Sequence, residues 1–224
     1  MITALLLGFA LGMRHGTDPD HLTAIDGLSR IRPHATNGLY FALGHGLLVT
    51  ILAVGLGRVV ADRAAFLGPW VLILIGAVNL VKLMRAQHGP AVPAVKKPIV
   101  AQPFLLGVLL AAGFETASQF TALILAGKTN PWMLGAVFTC GMVIVDGLDG
   151  YLAARTQRLA AAGDGNARQA SLFLGVLVVI FSFGLGVAEL MDIDLSQIAL
   201  PVGLILFGIV VAIRIRAQPK AIST

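Results

Sequence analysis

The sequence predicts an all-α polytopic membrane protein of about seven transmembrane helices, and three observations predict it. Of its 224 residues, 57% are hydrophobic and 12% are charged, whereas soluble domains carry about 25% charged residues. Apolar stretches recur near the roughly 20 residues that a spanning helix needs. Basic residues gather in short segments between those stretches, mostly on one side. The formal charge of +5 would suggest nucleic acid in a soluble protein, but membrane orientation explains it here. The single cysteine, Cys140, excludes an intramolecular disulfide framework. The opening Met1-Ile2-Thr3-Ala4-Leu5 lacks a basic segment and runs into a polar cluster, so no cleaved signal peptide is expected.

The expected spans cover residues 2–27, 38–60, 67–84, 103–127, 131–153, 171–191 and 197–214. The first holds apolar Leu5 to Ala10, then a polar cluster, then Leu22 to Ile25. Gly16 and Pro19 predict a local break inside it, since glycine is permissive and proline lacks an N–H. The second span carries His45, the fourth carries Glu115-Thr116 with Ser118 and Gln119, and the fifth carries Asp146 and Asp149. Between the third and fourth, Gln87 to Gln102 contains Pro90, Pro93 and Pro98 with Lys96 and Lys97, an extended, solvated connection. Arg155 to Arg168, with Gly163, Asp164, Gly165 and Asn166, reads as a second polar loop.

Of the Lys and Arg residues, Arg58, Arg63 and Lys128 fall on one side, Arg14 lies within a span, and the other twelve fall on the opposite side. The positive-inside rule puts the C-terminus in the cytoplasm and the N-terminus outside, in a multi-pass protein of the cytoplasmic (inner) membrane. A weak internal repeat is visible. Leu6-Leu7-Gly8 and Thr23-Ala24-Ile25 bracket the first cluster, and Leu105-Leu106-Gly107 and Thr121-Ala122-Leu123 bracket the fourth-span cluster. This suggests a 3+3 inverted repeat plus a final helix. The whole chain, 1–224, is then one transmembrane domain: a first repeat over 1–86, a cytoplasmic linker over 87–102, a second repeat over 103–191, and a final helix and tail over 192–224.

The most informative stretch is His15-Gly16-Thr17-Asp18-Pro19-Asp20-His21. Ionisable groups at membrane depth are expensive and mark a site by default. Imidazoles with carboxylates are a fitting ligand set for a divalent transition metal. His15, Asp18 and His21 follow an i, i+3, i+6 row and share a face if the helix persists. His15, Glu115 and Asp146 come to a similar depth when counted from their span ends at 1.5 Å per residue. Several groups at one depth call for a cation. Plainer readings also exist: His45 as a helix–helix hydrogen bond, Glu115 as a structural acid, and Asp146 and Asp149 as links to Arg14 or Arg155. Cys140, Met13 and Met142 read as apolar packing.

These residues resemble the nickel/cobalt transporter family. His15 to His21 matches its H-x-x-x-x-D-H signature, and Leu43-Gly44-His45 resembles its Leu-Gly-His segment. Gly113-Phe114-Glu115-Thr116-Ala117 resembles its Gly-Phe-Asp-Thr-Ala segment, and Gly141-Met142 with Asp146 and Asp149-Gly150 its Gly-Met…Asp-Thr-x-Asp-Gly segment. The match covers residues 8 to about 152. Glu115 stands for the usual Asp, Gln119 for a common Glu, and Gly147 for Thr. Longer family members have eight helices, and this sequence is expected to correspond to those after the first.

The resemblance implies a secondary permease for Ni²⁺ or Co²⁺, with the metal as cargo and no resident cofactor. His15, Asp18, Asp20, His21 and His45 are the expected metal site. Glu115, Asp146, Asp149 and Arg14 are the expected onward path or coupling groups. Uptake is expected because the His-rich loop frequent in the efflux branch is missing; efflux by the same fold is the alternative. An enzymatic alternative rests on Asp146 to Arg155, which resembles the start of the CDP-alcohol phosphotransferase motif. Its Arg is one residue late, and the later Gly and Asp residues are missing. A di-iron oxygenase fits less well, with three His at membrane depth, and an accessory subunit of a larger transporter is a further class.

Overall fold

The computed structural model describes residues 2–54, 67–86, 102–111 and 130–218. Among these the chain folds into eight helices: α1 Ile2–His15, α2 Pro19–Ile31, α3 Asn37–Ala53, α4 Leu67–Ala86, α5 Pro103–Ala111, α6 Pro131–Ala161, α7 Gly165–Leu190 and α8 Ser196–Arg216. Four of them, α4, α6, α7 and α8, are long and apolar enough to cross a membrane, while α1 and α3 are shorter apolar helices. This is a helical polytopic membrane protein. Glu115 with Thr116, Ser118 and Gln119, and the connection from Gln87 to Ala101, lie outside the described residues.

The expected break in the first span is present. α1 stops at His15 and α2 starts on Pro19, with Asp18 extended at φ −63° and ψ 145° before it. Proline suits the first turn because its missing N–H has no intrahelical partner there, and it holds the preceding residue out of the helix. A tight turn joins the two helices, with the amides of Thr17 and Asp18 donating to the carbonyls of Arg14 and His15 at 3.0 and 2.9 Å.

The expected loop from Arg155 to Arg168 is largely helical instead. α6 runs on to Ala161 and α7 begins at Gly165, so Arg155, Arg158 and Arg168 sit on helices. Good helix formers such as Leu152, Ala153, Ala154 and Leu159 to Ala162 carry α6 past the span. The reversal needs only three residues. Gly163 takes the left-handed φ of 94° that ends a helix, and the Asp164 side chain accepts from the Ala167 amide at 2.8 Å to start the next.

The packing places the most polar helix at the centre. Every residue of α2 from Pro19 to Ser29 is buried, although the segment includes Asp20, His21, Thr23, Asp26 and Ser29. α3, α4, α5, α6, α7 and α8 all pack against it. Its apolar residues Ala24, Ile25 and Leu28 join Phe41 of α3, Leu72 and Ile75 of α4, and Leu106 and Leu110 of α5 in one core cluster. Small residues let the backbones come close, since lipid tails supply no hydrophobic drive between helices. A Cβ on Gly12 of α1 would overlap the Phe138 carbonyl of α6, and a Cβ on Gly38 of α3 would overlap the Asp146 carbonyl. The same close fit brings α1 and α3 against the mid-section of α6, beside Asp146.

Replacing Gly12 with Ala is expected to lower the unfolding temperature in detergent, because overpacking costs about 1–3 kcal/mol. Gly147→Ala, where a Cβ would meet no atom within 4 Å, is expected to leave stability unchanged or to raise it slightly by helix propensity.

Candidate metal centre

The helix break presents His15 and His21 to one interior point. His15 closes α1, His21 lies in the first turn of α2, and His45 comes from the middle of α3. Their ring centroids lie 4.5 Å apart for His15 and His21, 5.0 Å for His15 and His45, and 4.4 Å for His21 and His45. One ligand nitrogen from each can be chosen so that all three lie within 4.8 Å of one another. All three side chains are buried. Phe41 sits edge-on to His21 at 5.0 Å, and Phe138 lies 5.8 Å from His15, so aromatic rings wall the cluster.

Carboxylates set the orientation of two of the rings. Asp18 Oδ2 accepts from His15 Nδ1 at 2.8 Å, and Asp146 Oδ2 accepts from His21 Nδ1 at 3.1 Å. A carboxylate can only accept, so each neutral ring carries its proton on Nδ1 and keeps the Nε2 lone pair for another partner. His21 Nε2 and His45 Nδ1 have no hydrogen-bond partner despite being buried. His15 Nε2 lies 3.0 Å from His45 Nε2. Two imidazole nitrogens bound at right angles about 2.1 Å from one metal ion would sit about 3 Å apart. This is the carboxylate–imidazole arrangement that tunes metal ligands, and three such nitrogens suit a Ni²⁺, Co²⁺ or Zn²⁺ ion better than Mg²⁺ or Ca²⁺.

The structure places the remaining expected site residues differently from one another. Asp18 and Asp146 reach the imidazoles directly, as given above. Asp20 is buried with Oδ2 unpartnered, near enough for its charge to couple to His21 and Asp146. Arg14 Nη2 approaches Asp18 Oδ1 at 3.9 Å from a partly exposed position. Glu115 lies outside the described residues. Asp149 does not join the imidazoles. Nor do Asp146 and Asp149 bond to Arg14 or Arg155 as the plainer reading had it: Asp146 holds His21, and Asp149 binds Arg214 of α8.

The sequence reading passed over the other half of that pairing. Arg214 is fully buried and also reaches Asp26 Oδ1 at 2.5 Å, while Asp26 Oδ2 accepts from Arg30 Nε at 2.9 Å. Arg214 resembled an ordinary basic residue at the end of the last span. Asp26 carried the better signal, since it sits in the first span five residues after His21 and four before Arg30.

Comparison with known proteins bears on the same residues. A family model described as "High-affinity nickel-transport protein" matches residues 1–64, the segment that holds His15, Asp18, Asp20, His21 and His45. Over that segment the chain is similar to high-affinity nickel-transport proteins. It is 27% identical over 203 residues to the nickel transporter NixA of Staphylococcus aureus, covering 66% of this chain and 60% of that protein. It is 28% identical over 210 residues to a high-affinity nickel transport protein of Cupriavidus necator, covering 68% and 59%. It is 29% identical over 216 residues to the hydrogenase nickel incorporation protein HupN of Bradyrhizobium diazoefficiens, covering 71% and 56%. The chain thus matches less than two thirds of the length of these relatives. No solved structure matches it.

Asp146→Asn is expected to keep the fold but to weaken Ni²⁺ binding about 10- to 100-fold, the usual cost of losing a carboxylate behind a ligating imidazole. Isothermal titration of the purified protein with Ni²⁺ measures this.

Proposed function

We propose that the protein is a permease that carries Ni²⁺ or Co²⁺ across the cytoplasmic membrane into the cell, and that His15, His21 and His45 bind the ion on its way through. The single observation that carries this reading is the convergence of three buried imidazoles, two of them held by carboxylates, in a helical membrane protein. A helix–helix hydrogen bond would need one imidazole. Three rings leaving two buried ring nitrogens without partners are a costly arrangement unless a cation visits. The names of the relatives support the same cargo.

Asp18 and Asp20 complete the site in this reading, by holding His15 and by offsetting the charge of the ion. The broken first span supports a binding site at mid-membrane, as in transporters whose interrupted helices line the path. The remaining features follow from the sequence: seven spans arranged as two inverted three-helix repeats and a final helix, the N-terminus outside, the C-terminus cytoplasmic, and the whole chain as one transport domain. In this reading Glu115, Asp146, Asp149 and Arg14 serve as the onward path or coupling groups, as the sequence suggests. The directionality of uptake rests on the missing His-rich loop.

Cells expressing His15→Ala or His21→Ala are expected to accumulate radiolabelled nickel at the level of cells without the protein; wild-type accumulation in both would refute the reading. Transport by the purified chain in liposomes separates a permease from an accessory subunit.

Metal binding needs each imidazole unprotonated. Uptake at fixed Ni²⁺ is therefore expected to fall as the pH is lowered. The sign follows because protons and metal compete for the same lone pairs. Initial uptake rates across pH 5 to 8, with the membrane potential clamped, measure it.

A further inference from the structure

Beyond the imidazole cluster, toward the C-terminal ends of α2, α6 and α8, lies a second concentration of buried charge. Arg214 donates through Nη2 to Asp26 Oδ1 at 2.5 Å, and through Nη1 to the Asp149 carboxylate and to the Asp149 carbonyl, the latter at 3.1 Å. The guanidinium is fully buried, as is Asp149, and Asp26 is nearly so. On α6, Asp149 is one turn beyond Asp146, which holds His21. On α2, Asp26 is five residues beyond His21 itself, about 7.5 Å along a helix. The two carboxylates therefore come from the same two helices that hold the His21–Asp146 pair, displaced in the same direction.

We infer that Asp26 and Asp149 form a second, all-carboxylate site for the divalent cation, and that Arg214 is a tethered cation that fills this site while the passage is closed. The inference rests on the permease reading above. Three further observations carry it.

First, the grip on the guanidinium is incomplete. Asp149 Oδ2 and Arg214 Nε are buried and unpartnered. A clasp that served only to hold helices together would not gain from leaving a carboxylate oxygen and a guanidinium nitrogen dry, because a half-satisfied buried ion pair is a poor stabiliser. A carboxylate oxygen left over is what an arriving cation needs. Second, α8 is attached by a narrow stripe. Gly203, Leu206, Val210, Arg214 and Ala217 face the bundle, whereas Leu204, Ile205, Ile209 and Ile215 are exposed. A helix held along one stripe can shift without dismantling a core, and Arg214 would leave with it. Third, a cavity of about 20 Å³ lies where α2, α7 and α8 meet, lined by Thr23, Asp26, Phe181, Leu206 and Val210 among others. That is room for one water beside the carboxylate that would have to be rehydrated or metallated.

The charges are compatible with such an exchange. Arg30 stays on Asp26 Oδ2 at 2.9 Å and is itself held by Ser171 of α7. Asp26 Oδ1 and both oxygens of Asp149 then remain for the ion. Passing from imidazole nitrogens to carboxylate oxygens also moves the ion to a harder, less selective ligand set. Release is easier from such a site than from three imidazoles.

The test counts ions. Purified protein in detergent is titrated with Ni²⁺ by isothermal titration, for the wild type and for H15A/H21A, R214K, R214Q and D149N/R214Q. The wild type and R214K are expected to bind one ion per chain, H15A/H21A none, R214Q two and D149N/R214Q one. If H15A/H21A binds as the wild type does, the imidazole site is wrong. If R214Q folds and still binds a single ion, the carboxylate site is wrong while the imidazole site stands. Should R214Q be unstable without metal, H15A/H21A/R214Q is melted with and without Ni²⁺. The inference expects Ni²⁺ to raise its unfolding temperature, and an unchanged temperature overturns it.

Discussion

The hydrogen bond from an imidazole Nδ1 to a carboxylate is made twice at the middle of this bundle, by His15 to Asp18 and by His21 to Asp146. It sets the tautomer of each ring and turns each remaining nitrogen inward. In a membrane interior such a bond has no water to compete with it and no water to replace it. The other features of the fold serve to keep it there. The helix break at Gly16 to Asp18 puts Asp18 within reach of His15. The small-residue contacts of α1 and α3 with α6 bring Asp146 to His21 and His45 to His15. Phe41 and Phe138 close the sides.

Burial of α2 is the cost of this arrangement, and the packing around it shows how that cost is met. A helix carrying Asp20, His21, Thr23, Asp26 and Ser29 cannot face lipid, so the helices around it keep it from lipid. Its charged groups find partners from distant parts of the chain: Asp146 for His21 across 125 residues, and Arg214 for Asp26 across 188. Such contacts form only when nearly the whole bundle has assembled. The two tiers differ in kind. The first is built of imidazole nitrogens with carboxylates behind them, and the second of carboxylates around a guanidinium. In the proposed transport reading an ion would meet the selective ligands before the hard ones.

Much of this was legible in the sequence, unevenly. The helical membrane class followed from composition and apolar runs, because the bilayer sets element length so strictly. The break in the first span followed from Gly16 and Pro19, a purely local effect of backbone chemistry. His15, His21 and His45, which the structure brings together, stood out because polar residues are conspicuous against an apolar background. The same contrast misled at Arg155 to Arg168, where polarity suggested a loop but alanine-rich composition kept the chain helical. It also hid Arg214, since a basic residue in the last turn of a span is the ordinary sign of a membrane boundary.

By itself, then, the sequence determined the class of fold, the place of the broken helix and the identity of the imidazole cluster, since each depends on local composition or on residues within a turn or two. Only the tertiary structure decided which acid serves which base. Asp146 turned out to orient His21, and Asp149 to pair with Arg214 rather than with Arg14 or Arg155. Asp26, unremarked in the sequence, became a centre of buried charge. Pairing of that kind depends on which helix faces lie together, and helix packing between spans is set by close contacts of small residues that carry no directional signal along the chain.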